Sequence, residues 1–393
     1  MKSNFGATVK NYLTKFLNIF QFLIYKIIDL LLSVQQQKIN QETLLLIRLD
    51  SIGDYVLIRN YFYFIKRSKK YQNYKITLCG NDLWKDLAVT FDSNILDEFI
   101  WLNRKKFSSN PYYKYKLLKN IYKSGFEVVI DTTFSREILY GDSIVHTSRA
   151  KDKIGSTGSS DSFVVWKRNL LTNRFYTTLI TQSPQNYFEF FRNREFFENI
   201  LQEKIDLSKP VLNSSEIEIN LPTNKEYAVI FPGAQDEKRR WSSTNFEVVV
   251  KHLIQNYNLN VIIAGSKSDS AISRKMTKCC DSKSFFDMTG KTTLPQLVKL
   301  ISLAKILVSN ETSAVHFAAA VGTPFICISN GNHFGRFNPY PKEMHIKCKY
   351  IYPDDIENNL NHLDYLEKYR YDSNLDIDSI SPIKIIKALP ELL

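Results

Sequence analysis

Residues 309–324, SNETSAVHFAAAVGTP, place a carboxylate (Glu311), two hydroxyls (Thr312 and Ser313) and an imidazole (His316) around the start of one helix. Free backbone N–H groups and the positive end of a helix dipole favour phosphate at such a point, and these side chains add contacts to a sugar or diphosphate. A well-capped helix in any α/β protein has the same outline, with Thr312 as the cap and His316 as a satisfied polar group. A second candidate is Asp54, in Asp50-Ser51-Ile52-Gly53-Asp54. A carboxylate there either steadies the first turn of a helix or serves as a general base. Lys238-Arg239-Arg240 follows Pro232-Gly233-Ala234 closely, and cations after a strand-ending glycine suit an anionic ligand. Asp269, in Gly265-Ser266-Lys267-Ser268-Asp269, and Asp131, in Asp131-Thr132-Thr133, end two further apolar runs.

Strands and helices must position these groups. Ile306–Val308 reads as a strand, a helix runs from Thr312 through Ala318, Ala319 and Ala320 to Gly322-Thr323-Pro324, and Phe325–Ile328 is the next strand. The same alternation recurs at Thr43–Leu49, Tyr74–Cys79, Glu127–Ile130, the boundary at 151–155, Tyr227–Phe231 and Asn260–Ala264. Polar turns at the carboxyl ends of parallel strands are where open α/β sheets bind ligands. The turn after Thr43–Leu49 is neither a GxGxxG fingerprint nor a Walker loop. Ser156–Ser162 suggests a mobile loop over the cleft, and 186–203 an aromatic packing helix. Pro210, Pro222 and the polar residues between them mark a domain junction. The predicted organisation is a helix and linker over 1–42, a Rossmann-like half over 43–210 and a second over 226–393.

At 393 residues, two domains are expected. The net charge of +12 favours anionic partners, but no nucleic-acid motif accompanies it. The five cysteines are odd in number and form no CxxC, which predicts a reducing cytosol with neither zinc nor a disulfide framework. Residues 9–34 are amphipathic. Val9, Leu13, Phe16, Phe20, Leu23, Ile24, Ile27, Leu31 and Val34 share a face, opposite Lys10, Asn11, Lys15, Asn18, Lys26 and Asp29. The uncharged run 16–25 is too short to cross a bilayer, and no signal-peptide pattern follows. The apolar face either lies on the cytoplasmic face of a membrane or packs against protein.

Five blocks in order resemble glycosyltransferase family 9, the ADP-heptose:lipopolysaccharide heptosyltransferase family. They are IRLDSIGDYVL (47–57), FEVVIDTTFS (126–135) with KIG (153–155), VIFPGAQDEKRRW (229–241), VSNETSAVHFAAAVGTP (308–324) and GRFNPY (335–340). The resemblance implies an α/β GT-B enzyme, two Rossmann-like domains across a cleft. Such an enzyme transfers a sugar with inversion from a nucleotide sugar to a lipid-linked or core saccharide, with no required metal or other cofactor. By the same resemblance Asp54 is the base, and Lys238 or Arg239 neutralises the leaving diphosphate. Gly233, Asp269, Glu311, Thr312, Ser313 and His316 line the donor, while Ser51, Gly53 and Asp131 lie on the acceptor side. Glu311 and Ser313 depart from the family's usual Asp and Gly, and the N-terminal helix is a third departure. A non-catalytic nucleotide-sugar-binding or assembly factor is the alternative these departures leave open.

Overall fold

The computed structural model describes residues 20–158, 162–183, 188–277 and 283–393. Two six-stranded parallel sheets dominate it. The first comprises β1 (Asn40–Arg48), β2 (Lys75–Asn81), β3 (Glu98–Leu102), β4 (Phe126–Asp131), β5 (Asp152–Ser156) and β6 (Thr178–Ile180), in the order β3-β2-β1-β4-β5-β6. The second comprises β7 (Tyr227–Phe231), β8 (Asn260–Ile263), β9 (Phe285–Asp287), β10 (Ile306–Asn310), β11 (Phe325–Ile328) and β12 (Cys348–Ile351), ordered β12-β11-β10-β7-β8-β9. Counted from its own first strand, each sheet has the same order, with the direction of strand addition reversing between β1 and β4 and between β7 and β10. Ligands bind at the carboxyl ends beside such reversals.

Helices cover both faces of each sheet, so the apolar stretches of the central strands are buried. Leu44 to Ile47 of β1 and Ile306 to Val308 of β10 have no exposed surface. This is why they read as continuous apolar runs rather than alternating ones. The edge strands β3, β6, β9 and β12 are three to five residues long and partly exposed, and the sequence pattern did not reveal them. The aromatic helix is Glu189–Leu201. It buries Phe190, Phe191, Phe196 and Phe197 against helices Ile52–Ile58 and Asn60–Arg67, with Phe197 stacked on Tyr61 at 5.5 Å. The expectations for Val9 to Asn18, Asn186, Tyr187 and the Cys279-Cys280 pair lie outside the described residues, as does the centre of the Ser/Gly loop. Cys79, Cys327 and Cys348 are free thiols.

Residues 20–33 are helical and lie against the first domain. Tyr25, Ile28 and Leu32 are buried there, with Tyr25 hydrogen-bonded to His146 at 2.6 Å. Asp29 pairs with Arg149 at 2.8 Å. The linker is pinned by the Gln37 amide, which donates to the Tyr122 and Ser148 carbonyls, and by the Tyr122 hydroxyl, which donates to the Gln35 carbonyl. The packing stripe therefore differs from the one the sequence pattern singled out. Phe20, Leu23, Ile27, Leu31 and Val34 face outward, and Asp29, assigned to the polar face, faces inward. No described helix is long and apolar enough to cross a membrane.

Candidate active site

β1 ends on Arg48, a charge directly after the buried apolar run Leu44–Ile47. Its guanidinium has no exposed surface and meets three carboxylates: Asp50 at 3.1 Å, and Asp54 and Glu189 each at 3.3 Å. It also donates to the Thr132 carbonyl at 2.8 Å. Asp54 sits in the first turn of helix Ile52–Ile58 with its side chain 16% exposed, so it is both held and reachable. Burial and the neighbouring Asp50 raise its pKa to about 7, against the pull of Arg48 and Arg336. Burial works on Glu189 in the same direction but is overcome. Arg336, Arg192 and Arg48 converge on it and hold it well below the usual carboxylate range. One buried cluster thus contains an ionised carboxylate and a neighbour poised near neutrality, the division of labour expected of an acid–base site.

Arg336 comes from the loop between β11 and β12. Its Nε donates to Glu189 at 2.9 Å, and one of its terminal nitrogens donates to Ser135 at 3.2 Å. The Glu189 backbone N–H donates in return to the Arg336 carbonyl at 2.8 Å. Tyr340, from the same loop, packs on Phe188 with ring centroids 4.9 Å apart, and its hydroxyl bonds His316 Nδ1 at 2.8 Å.

The turn after β10 forms as the spacing predicts. Thr312 is the N-cap of helix Ser313–Val321, its hydroxyl accepting from the Ala314 N–H. Asn310 ties this turn to the segment after β7, its amide donating to the Pro232 carbonyl at 2.6 Å and its oxygen accepting from the Trp241 N–H at 3.3 Å. Glu311 accepts a 2.5 Å bond from Ser329, and Arg239 lies 4.0 Å away. Burial lifts the Glu311 pKa to about 7, with Ser329 and Arg239 drawing it back. Arg239 Nε is buried with no hydrogen-bond partner among the described residues. Lys238 is exposed, its ammonium on Asn374 at 2.7 Å. Asp269 closes a capping box with Ser266 and lies under Gly233, where any Cβ would sit 2.5 Å from its carboxyl. That contact explains the glycine.

The two helix starts meet. A Cβ on Gly53 would lie 2.7 Å from His316 Cδ2, so only glycine allows helices Ile52–Ile58 and Ser313–Val321 to pack this closely. Burial depresses the His316 pKa to about 4, leaving its ring neutral at this contact. The fold therefore brings together Gly53, Asp54 and His316, and separately Glu311, Thr312 and Arg239. Ser51 is exposed at the same turn as Asp54. Asp131 stands apart from the cleft. It is fully buried, accepts from the Thr133 N–H and the Tyr176 hydroxyl, and is pushed up to about 7 by burial and by nearby Asp142.

Arg48, Glu189, Arg192 and Arg336 escaped the sequence reading. A lone arginine in the run TLLLIRL was a usable signal, because an arginine is almost never fully buried without partners. Glu189 and Arg192 are an i,i+3 pair on one helix, far in sequence from Arg48 and from Arg336, and none of the three carries a local mark. Among the described residues, no group of three or more His, Cys, Asp or Glu side chains converges to hold a metal ion.

The sequence model of glycosyltransferase family 9 (heptosyltransferase) matches residues 115–362. Lipopolysaccharide heptosyltransferase 3 of Escherichia coli is 26% identical over 121 residues, 30% of this chain and 36% of that protein. Lipopolysaccharide heptosyltransferase 2 of Salmonella typhimurium is 29% identical over 101 residues, 25% of this chain and 29% of that protein. The matched stretches thus span about a third of the length of these curated relatives. Among solved structures, the family 9 glycosyl transferase from Veillonella parvula superposes with a TM-score of 0.66 at 16% identity, covering 90% of this chain and 98% of its own. E. coli heptosyltransferase WaaC with ADP gives 0.68 at 13% identity, covering 89% and 100%. The fold shared with these structures is the GT-B arrangement of two facing α/β domains.

Proposed function

The chain belongs to glycosyltransferase family 9, and from that premise we propose that it is an inverting transferase of cell-envelope polysaccharide synthesis. It moves a sugar, by family default the heptose of ADP-heptose, to a saccharide acceptor of lipopolysaccharide core, O-antigen or capsule. It does so on the cytoplasmic side, where nucleotide sugars are available. One observation carries this reading: the turn bearing Asp54 abuts the donor-type turn through the Gly53–His316 contact. That contact sets a partly exposed carboxyl group, its pKa raised to about 7, next in the chain to the residue that touches the donor-type helix.

In this reaction Asp54 takes the proton of the acceptor hydroxyl as its oxygen bonds to the anomeric carbon. The bond from that carbon to the diphosphate oxygen breaks, and the electron pair leaves with the nucleoside diphosphate. Attack opposite the leaving group inverts the centre. Arg239, beside Glu311 and with a buried Nε that has no hydrogen-bond partner among the described residues, is the better placed cation for the developing diphosphate charge, and Lys238 is a longer-range contributor. Thr312 and Ser313 supply hydroxyls at the helix start. We assign Asp131 an indirect part on the acceptor side, beneath Thr132 and Thr133, because its own carboxylate is already bonded.

Asp54→Asn tests the proposal. Transfer is expected to fall by about 10²- to 10⁴-fold, the range for a positioned base, while donor affinity measured by calorimetry stays at the wild-type value. Full transfer by this variant would remove Asp54 from the role. A wild-type protein that binds nucleotide sugars but turns over with no acceptor would point instead to the non-catalytic assembly factor.

A further inference from the structure

The helix over residues 20–33 is apolar on two opposite sides. Tyr25, Ile28 and Leu32 form the inner stripe. The outer stripe is Phe20, Leu23, Ile27, Leu30, Leu31 and Val34, each more than half exposed, from 51% at Leu31 to 79% at Val34. Six large apolar side chains on one helix face form a contiguous patch of the kind that marks an interaction site rather than ordinary surface. We propose that this outer face docks on an anionic lipid surface, lying in the headgroup–acyl boundary parallel to the membrane.

Charge selects the occupant. Residues 1–40 contain five lysines and a single acid, Asp29. That acid is turned inward, paired with Arg149 at 2.8 Å and His146 at 3.3 Å. Over residues 20–40 the outward surface therefore carries no acidic side chain beside the apolar stripe. Lys26 borders the stripe, its ammonium lying over the Phe22 and Tyr25 rings. This combination suits acidic headgroups above an acyl layer. A second copy of the helix could match the apolar spacing. It would, however, offer Lys26 no carboxylate to pair with, because Asp29 is engaged and flanking charge pairs are what fix helix partners.

The placement also suits a membrane-borne acceptor. The carboxyl end of the helix is pinned near Tyr122, close to the amino end of β4. Its middle reaches Lys114, whose ammonium lies 5.9 Å from the Tyr25 ring at the other end of helix Pro111–Ser124. The helix thus runs alongside the first domain toward the end of the sheet that carries Asp54. This inference is independent of the transfer reaction.

Sedimentation of the full-length protein with vesicles tests it. Wild type is expected to bind vesicles containing phosphatidylglycerol more tightly than pure phosphatidylcholine. The combined Leu23→Ser, Ile27→Ser and Leu30→Ser variant should bind at least about a hundredfold more weakly, with unchanged thermal unfolding because the substituted side chains face outward. Lys26→Glu should weaken binding to the anionic vesicles by about fivefold or more. Ile27→Trp keeps the face apolar, and its fluorescence should shift to the blue on adding anionic vesicles. Failure of wild type to sediment with them, or wild-type binding by the triple variant, overturns the proposal. So does a dimer in sedimentation velocity that the triple variant dissolves without any vesicle binding.

Discussion

Asp54 and Glu189 share Arg48 at equal distance, yet their proton affinities diverge. Glu189 is surrounded by three guanidiniums and stays ionised. Asp54 touches only one of them and has Asp50 beside it, so the cost of burial prevails. A base works in its ionised form, so the consequence for pH follows directly. Below about pH 7 the ionised fraction of Asp54 falls tenfold per unit, and kcat/KM for transfer should fall with it, levelling off above. Arg336 lowers the proton affinity of Asp54 from across the cleft. Replacing it in Arg336→Met should move that limb toward alkaline pH by on the order of one unit. A pH–rate profile checks both statements; an unmoved limb would mean that Arg336 braces the domains without tuning the base. Glu311 and Ser313 stand where the family usually has Asp and Gly, and we propose that donor choice differs there if it differs anywhere. Glu311 already accepts a hydrogen bond from Ser329 and lies 4.0 Å from Arg239.

At the scale of elements, helices Ile52–Ile58 and Ser313–Val321 meet in a close joint at Gly53 and His316. Gly53→Ala would drive a methyl group into the His316 ring, which Tyr340 fixes from its other side. The expected cost is about 1–3 kcal/mol, the usual penalty for overfilling a packed contact. Urea unfolding would show the lower midpoint, and transfer should fall further than stability alone predicts because Asp54 sits next in the chain. The elements differ in how plainly the sequence announced them. β1, β7 and β10 are buried on both faces, and their unbroken apolar runs were legible. The turn 309–316 was legible too, because a Thr cap, a Gly-Thr-Pro stop and small residues between them act locally. The short edge strands are partly exposed and carry no such pattern. The loop bearing Arg336 was recognisable as a block, but its arginine gains meaning only from Glu189, which lies 147 positions earlier.

For the whole molecule, two sheets of identical strand order meet through the Gly53–His316 contact, and ligand binding should be read as a change in global stability. A nucleotide sugar held between the halves at a hundred times its dissociation constant adds about 2.7 kcal/mol to the folded state. Thermal unfolding with ADP-, GDP- and UDP-sugars should therefore single out the true donor by the largest upward shift, with ADP-heptose expected first. Equal shifts for all three would argue against a selective donor pocket. The organisation into two α/β halves was legible from the repeated strand–turn–helix rhythm. The orientation of the N-terminal helix was not, because both of its sides are apolar and only the body of the protein decides which one is covered. That helix is joined to the body by Tyr25, Asp29 and the pinned linker residues Gln35 and Gln37 rather than hanging from a free tail. A tail restricts only how far a protein can wander from what it holds. A helix fastened along its length removes rotations as well, so whatever surface it rests on would also set the tilt of the cleft.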